Sequence, residues 1–227
     1  MLSARPPRRG GGAAALSSAR PGAPLVSMLK LAMARAEAHA DEMTLEAWAE
    51  LPEDDEGELV AGRLEEEETP DRLHEAAVRW LLVELALWAR RSGARVFGSE
   101  LKLAVGERTG RKPDVSVWLV GSARSRGDET LQRRMPDVAI EVLSPRPRDQ
   151  QRDRVTKPDE YARAGIRWYW LVDPRGRTIE LLELNADGRY VRAASAGQGR
   201  LSPPGLEGLE LDLDALWSDV DAELDDT

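Results

Sequence analysis

One carboxylate interrupts an otherwise apolar run, Val138-Ala139-Ile140-Glu141-Val142-Leu143. A run of that length and composition reads as a buried strand. A charge at its centre is costly unless a cation or hydrogen-bond donors compensate it. Similar runs, alternating or solidly apolar, mark strands at 95–104, 114–120, 168–173, 177–184 and 189–194, with this one at 137–143. Upstream of them lies the strongest helix signal. Thr69 is the expected N-cap, Pro70 takes the first helical position, and Gly93 follows Arg90-Arg91 as the stop. Between them Leu73, Ala77, Trp80, Leu81, Val83, Leu87 and Trp88 recur at helical period. A polar stretch ending in a second helix separates strands 137–143 and 168–173. This order predicts an α/β fold, a sheet with helices packed on it.

The chain divides into three parts. Residues 1–42 hold Arg5-Pro6-Pro7-Arg8-Arg9-Gly10-Gly11-Gly12 and an Ala/Ser/Pro-rich stretch without hydrophobic periodicity. Such a segment buries too little apolar surface to offset its ordering entropy, so a disordered extension is expected. It is Arg-rich and acid-poor like a transit peptide. An over-extended start, with the true one at Met28, Met33 or Met43, is the simpler reading, and residues 28–40 suit a short Ala-rich helix. The domain is expected over 43–218. It opens with Thr44 capping a short helix that carries Leu45 and Trp48, followed by a hairpin over 57–68 turning at Ala61-Gly62. Residues 211–217 form a small closing element, and 219–227 an acidic tail.

The 227 residues carry a net charge of −9, unevenly spread. Residues 1–40 hold six Lys/Arg and one Glu, so the remainder stands at −14. Within it, residues 102–167 hold fifteen Lys/Arg against ten Asp/Glu, a basic middle suited to holding phosphates near a carboxylate site. The chain has no Cys, which excludes disulfides, thiolate metal sites and a cysteine nucleophile, and is compatible with a cytoplasmic location. Only two histidines, His39 and His74, leave little room for zinc, so a hard, oxygen-bound ion such as Mg²⁺ or Mn²⁺ is the expected cofactor. No apolar run approaches the ~18 residues of a membrane span. A Gly-rich phosphate loop, a GxSxG elbow and an HExxH motif are all missing.

Three passages carry chemistry: Lys112-Pro113-Asp114-Val115, Ile140-Glu141-Val142-Leu143-Ser144-Pro145 and Asp153-Arg154-Val155-Thr156-Lys157. Pro113 fixes an extended entry that holds Asp114 at a strand edge. If the strands of Asp114 and Glu141 are neighbours, both acids reach one divalent ion, which can bind a phosphoryl oxygen and activate water. Lys157 then orients the water or neutralises developing charge. Arg146, Arg148, Arg152 and Arg154 follow Glu141 directly and are the candidate phosphate-backbone contacts. Pro158 suits a helix that starts with Thr156 as N-cap and stops at Gly165.

From Met43 to Trp217 the chain resembles the Uma-two family of restriction-endonuclease-like proteins, a bacterial branch of the PD-(D/E)XK nuclease superfamily. Besides the three passages above, the resemblance rests on Met43-Thr44-Leu45-Glu46, Glu58-Leu59-Val60-Ala61-Gly62 and Tyr161-Ala162-Arg163-Ala164-Gly165-Ile166. Trp170-Leu171-Val172-Asp173-Pro174 and Pro204-Gly205-Leu206 match as well. It implies an αβββαβ core, a central mixed sheet flanked by helices, with Asp114 and Glu141 as metal ligands. The superfamily lysine position is Leu143 here; the family's lysine, from the following helix, corresponds to Lys157. Glu58 corresponds to an early acid that assists metal or water, and His74 to an accessory histidine at the start of the long helix. The implied activity is Mg²⁺-dependent endonucleolytic hydrolysis of DNA, with a homodimer able to cut both strands. A noncatalytic nucleic-acid- or protein-binding module that retains the fold is the alternative. A hydrolase of another phosphate ester is a third.

Overall fold

The structure is a computed structural model that describes residues 42–52, 57–66, 69–123 and 127–224. The expected extension over 1–42 lies outside the described residues, apart from its last residue. The described ones belong to the unit Glu42–Thr227.

Each local signal has a physical counterpart. Thr44 caps α1 (Leu45–Ala49), its hydroxyl accepting from the Ala47 N–H at 3.1 Å. β1 (Glu58–Val60) and β2 (Arg63–Glu65) form the hairpin, turning through Ala61 (φ 50°) and Gly62 (φ 82°). Two successive left-handed residues match the twist of a tight antiparallel pair. α2 (Arg72–Ser92) ends at Gly93, φ 81°, whose N–H donates to the Ala89 carbonyl at 2.8 Å. Its N-cap is Asp71 rather than the expected Thr69. The Asp71 carboxylate accepts from the His74 N–H at 3.0 Å, and Pro70 precedes the cap instead of entering the helix.

The expected strand 95–104 is two strands, broken at Gly98-Ser99-Glu100: β3 (Arg95–Phe97) and β4 (Lys102–Gly106). They belong to different sheets. β4 pairs with the unanticipated β5 (Thr109–Arg111), and with β1, β2 and β7 (Leu131–Gln132) they make a sheet of order β2-β1-β5-β4-β7. In it Gly110 has a steric role, since a Cβ there would overlap the indole of Trp48.

The central sheet has the order β11-β10-β9-β8-β6-β3. It comprises β3, β6 (Val115–Trp118), β8 (Val138–Val142), β9 (Trp168–Asp173), β10 (Thr178–Leu184) and β11 (Tyr190–Ala196). β6 lies between β3 and β8 and is antiparallel to both, and β9 runs parallel to β8. A parallel neighbour requires a crossover, supplied here by helical residues Pro147–Ala164. Counting α2 first, the core is αβββαβ, as the resemblance implies, in a mixed sheet flanked by helices. β12 (Arg200–Leu201) and β13 (Leu211–Asp212) form a small ribbon leading into α5 (Leu213–Ala222). α5 runs past the expected domain end at 218. Asp219 and Glu223 pair with Arg79, and Asp221 with Arg177, which ties residues assigned to the acidic tail to the domain. Among the described residues no helix is long and apolar enough to cross a membrane.

Strand alternation decides what Glu141 faces. Val138, Ile140 and Val142 pack into the core shared with Ala77, Leu81 and Leu85 of α2 and Leu216 of α5. Ala139 and Leu143 point the other way, into a cluster with Leu103, Tyr161 and Tyr169. Glu141 shares that second face, between the two sheets.

Candidate active site

Asp114 stands just before β6, where the β6–β8 pairing ends at Val115 and Ile140. The Val142 N–H therefore has no strand partner on that side and donates to Asp114 Oδ2 at 2.7 Å. Asp114 is thereby fixed at the mouth of the gap between the sheets. Nε2 of the buried His74, in the first turn of α2, lies 3.3 Å from the same oxygen. Nδ1 faces Glu75 at 3.5 Å.

Glu141 is 3% exposed. The Tyr161 hydroxyl donates to Oε1 at 2.6 Å, and the Lys157 ammonium lies 2.8 Å from Oε2. Burial pushes the Glu141 carboxyl well above the usual range. Lys157 opposes that shift, whereas the negative charges of Asp153, Asp114 and Glu58 add to it. Tyr161 is itself pushed up by burial and by Glu141, so it stays a donor.

Lys157 is surrounded by carboxylates: Glu141 at 2.8 Å, Asp153 at 3.2 Å and Glu58 at 3.7 Å. Burial disfavours its charge, but Asp153, Glu141 and Glu58 outweigh burial and hold the ammonium well above its ordinary value. Its carboxylate neighbours thus favour the charged form. Its setting differs from the expected helix start at Thr156. Thr156 has helical angles and makes no side-chain cap. The helix is continuous from α3 (Pro147–Gln151) through a π-helical turn (Arg152–Thr156) into α4 (Lys157–Ala164), which stops at Gly165, φ 81°.

Glu58 opens β1, 3% exposed. Its Oε1 accepts from the Lys112 N–H at 2.9 Å, and Oε2 pairs with Arg111 at 2.7 Å. Burial alone would raise its pKa, but Lys157 and Arg111 bring it down to about 2. Glu58 and Glu141 thus diverge within one cluster, because only Glu58 has a second cation.

The four arginines differ in setting. Arg152 lines the site cavity and lies 3.7 Å from Asp149. Arg146 is exposed, and Arg148 is exposed 3.8 Å from Glu65. Arg154 faces Glu180 at 2.9 Å and Asp173 at 3.5 Å, on the strands beside the helix. The cavity, about 910 Å³, brings Glu58, His74, Asp114, Glu141, Arg152 and Lys157 to one wall system.

Sequence reading missed Arg111, Asp153 and Tyr161 as members of the site. Arg111, 1% exposed, bridges Glu58 and Glu160 and so ties β1 to α4. A charge in the short segment Thr109–Arg111, flanked by turn residues, gave no sign of burial. Asp153 and Tyr161 do sit at positions four apart from Lys157 in either direction, the one signal that links them to its helical face.

The family comparison rests on the whole domain. The Uma2 family, described as "putative restriction endonuclease", matches residues 43–214. The chain belongs to that family. Among solved structures it resembles a putative nuclease belonging to DUF820 from Anabaena variabilis, with 23% identity and a TM-score of 0.62, covering 78% of this chain and 99% of that one. That likeness establishes the same fold. No curated protein matches significantly. Membership of Uma2 carries a nuclease class at family level.

The donor set suits a hard cation. Asp114 and Glu141 supply carboxylate oxygens to one cavity, and a divalent ion there would offset both the burial and the neighbouring negative charges that disfavour the Glu141 carboxylate. Among the described residues no group of three or more His, Asp and Glu stands in metal-holding geometry. Two carboxylates are nonetheless what Mg²⁺ commonly takes from a protein, the rest of its shell being water and substrate oxygens.

Proposed function

We propose that the chain is a Mg²⁺- or Mn²⁺-dependent endonuclease that hydrolyses DNA phosphodiester bonds. The observation that carries this reading is the convergence of Asp114, at the entry to β6, and Glu141, on the neighbouring antiparallel β8, on one cavity with the Lys157 ammonium against Glu141. Asp114 and Glu141 would hold the ion. When bound, the ion supplies Lewis acidity toward a phosphoryl oxygen and a more acidic water. Lys157, held charged, neutralises negative charge that develops on the phosphate instead of accepting the proton of the attacking water. The Val142 N–H and His74 orient Asp114, while Tyr161 orients Glu141. Glu58, ionised and locked by Arg111, keeps Lys157 charged. Arg152, on the cavity wall, is the arginine placed to meet a phosphate.

The alternative, a binding module without chemistry, draws on one observation: both Glu141 oxygens already have partners, Tyr161 and Lys157. Purified protein incubated with duplex DNA, RNA and a simple phosphodiester, each with and without Mg²⁺, separates the readings. Metal-dependent cleavage of DNA is expected. DNA binding that survives chelator with no cleavage supports the module instead. Turnover confined to the simple ester points to a different hydrolase.

A further inference from the structure

The helix that carries Lys157 changes winding where it matters. In the π turn the Lys157 N–H donates to the carbonyl of Arg152, five residues back. A regular α-helix would pair it with the carbonyl of Asp153. That carbonyl is therefore released, and its own π-type partner, five residues on, is Pro158, which has no N–H. The Tyr169 hydroxyl of β9 takes it instead, at 2.8 Å. Pro158 and Tyr169 together thus suit a winding that is rare and, where it occurs, frequent at functional sites. Its result is specific. Asp153 and Lys157 are both turned inward, 1% and 3% exposed, while Arg154, Val155 and Thr156 between them are exposed. The Asp153 carboxylate then lies 3.2 Å from the Lys157 ammonium, which has Glu141 at 2.8 Å. Asp153 is not among the residues that line the cavity with Asp114 and Glu141.

We propose that Asp153 and Tyr169 are positioning residues for Lys157: Tyr169 fixes the π turn through the Asp153 carbonyl, and the Asp153 carboxylate clamps the ammonium against Glu141. The consequence for turnover rests on the nuclease reading; the geometric part does not. Asp153→Asn is isosteric and Tyr169→Phe keeps the ring packed against Tyr161, so two independent folded variants are available. In each, kcat for metal-dependent DNA cleavage falls about 10- to 100-fold, the scale of losing a group that orients a site residue, with KM within about twofold. Arg163→Ala, at an exposed helix position, leaves both unchanged.

The deciding readout is independent of cleavage. Lysine acylation followed by mass spectrometry compares Lys157 with Lys112, whose side chain is also buried, at 8% exposure. Lys157 reactivity is expected to rise about tenfold or more in both variants, in line with the lost orientation, while Lys112 stays as in the wild type. Lys157 remaining protected, or Lys112 rising in parallel through general loosening, overturns the proposal whatever cleavage does. If the wild-type chain cleaves nothing, the nuclease reading fails, and the acylation comparison still decides whether Lys157 is clamped.

Discussion

Lys157→Met is expected to destabilise the domain by about 3–5 kcal/mol, the cost of leaving buried charge without its partner. At roughly 2–4 °C per kcal/mol for a domain of this size, the melting temperature falls by about 6–20 °C. The reason is the count of carboxylates around one ammonium. Glu141, Asp153 and Glu58 all lie within 3.7 Å of it, in side chains 2–4% exposed. Once Lys157 is gone, Glu58 keeps Arg111 at 2.7 Å, Asp153 keeps Arg152 only at 4.0 Å, and Glu141 keeps the Tyr161 hydroxyl. Methionine fills the volume, so the loss is electrostatic rather than a cavity. The surface pair Arg163–Asp159, with both side chains 74% exposed, gives the contrast. Such a pair contributes about 0–1 kcal/mol and its removal should be nearly silent. Lowering the pH should recover part of the loss, because protonation discharges the stranded acids. A melting temperature equal to or above the wild type's at neutral pH contradicts this account.

Glu141→Gln is expected to separate stability from activity. Cleavage should fall by at least about 10²–10³-fold, the scale of losing one group that stabilises a transition state electrostatically. Stability without metal should rise. Because the folded-state pKa of Glu141 is raised, the native protein binds this proton more tightly than the unfolded chain does. The group's stabilising contribution is then fully present below the ordinary value of 4.5 and is lost as pH rises through the folded value. At neutral pH glutamine removes a cost, keeps an oxygen for Tyr161 and leaves Lys157 with Asp153 and Glu58. A gain of 1 kcal/mol appears as about 2–4 °C. In a melt series from pH 4 upward, the variant should lack part of the wild type's decline. A melting temperature below the wild type's throughout would show that Glu141 is a stabilising ion-pair member and not a strained site.

What could be read in the chain was what local chemistry marks. Glu141 announced itself as a charge in an apolar strand, and Gly93, Gly165 and the Ala61-Gly62 pair announced their turns by the backbone angles they permit. The order of helix and strands was legible for the same reason and led to an α/β sheet with helices packed on it, while the αβββαβ core came from the family resemblance. The split of 95–104 was not, since Gly98-Ser99-Glu100 breaks a strand without saying that its halves join different sheets. Nor was the π turn, whose extra residue leaves no periodic signature. Pro158 looked like a helix start because its missing N–H is usual there; Tyr169, which makes it tolerable inside a helix, lies on a distant strand. Arg111, Asp153 and Tyr161 were hidden likewise, because their roles depend on partners brought close only by the fold. Arg154 was a candidate phosphate contact by position along the chain; its pairing with Glu180 and Asp173 on neighbouring strands was not legible there.

In the proposed nuclease, Asp114 and Glu141 hold one catalytic cation between them. Mn²⁺ binding followed by electron paramagnetic resonance, with Mg²⁺ as competitor, tests it without any substrate. The wild type should bind Mn²⁺ in competition with Mg²⁺, and Asp114→Asn and Glu141→Gln should each weaken that binding by at least about tenfold, the lower end of what even an outer-shell change costs a metal site. Binding that is unchanged in both variants would contradict the account.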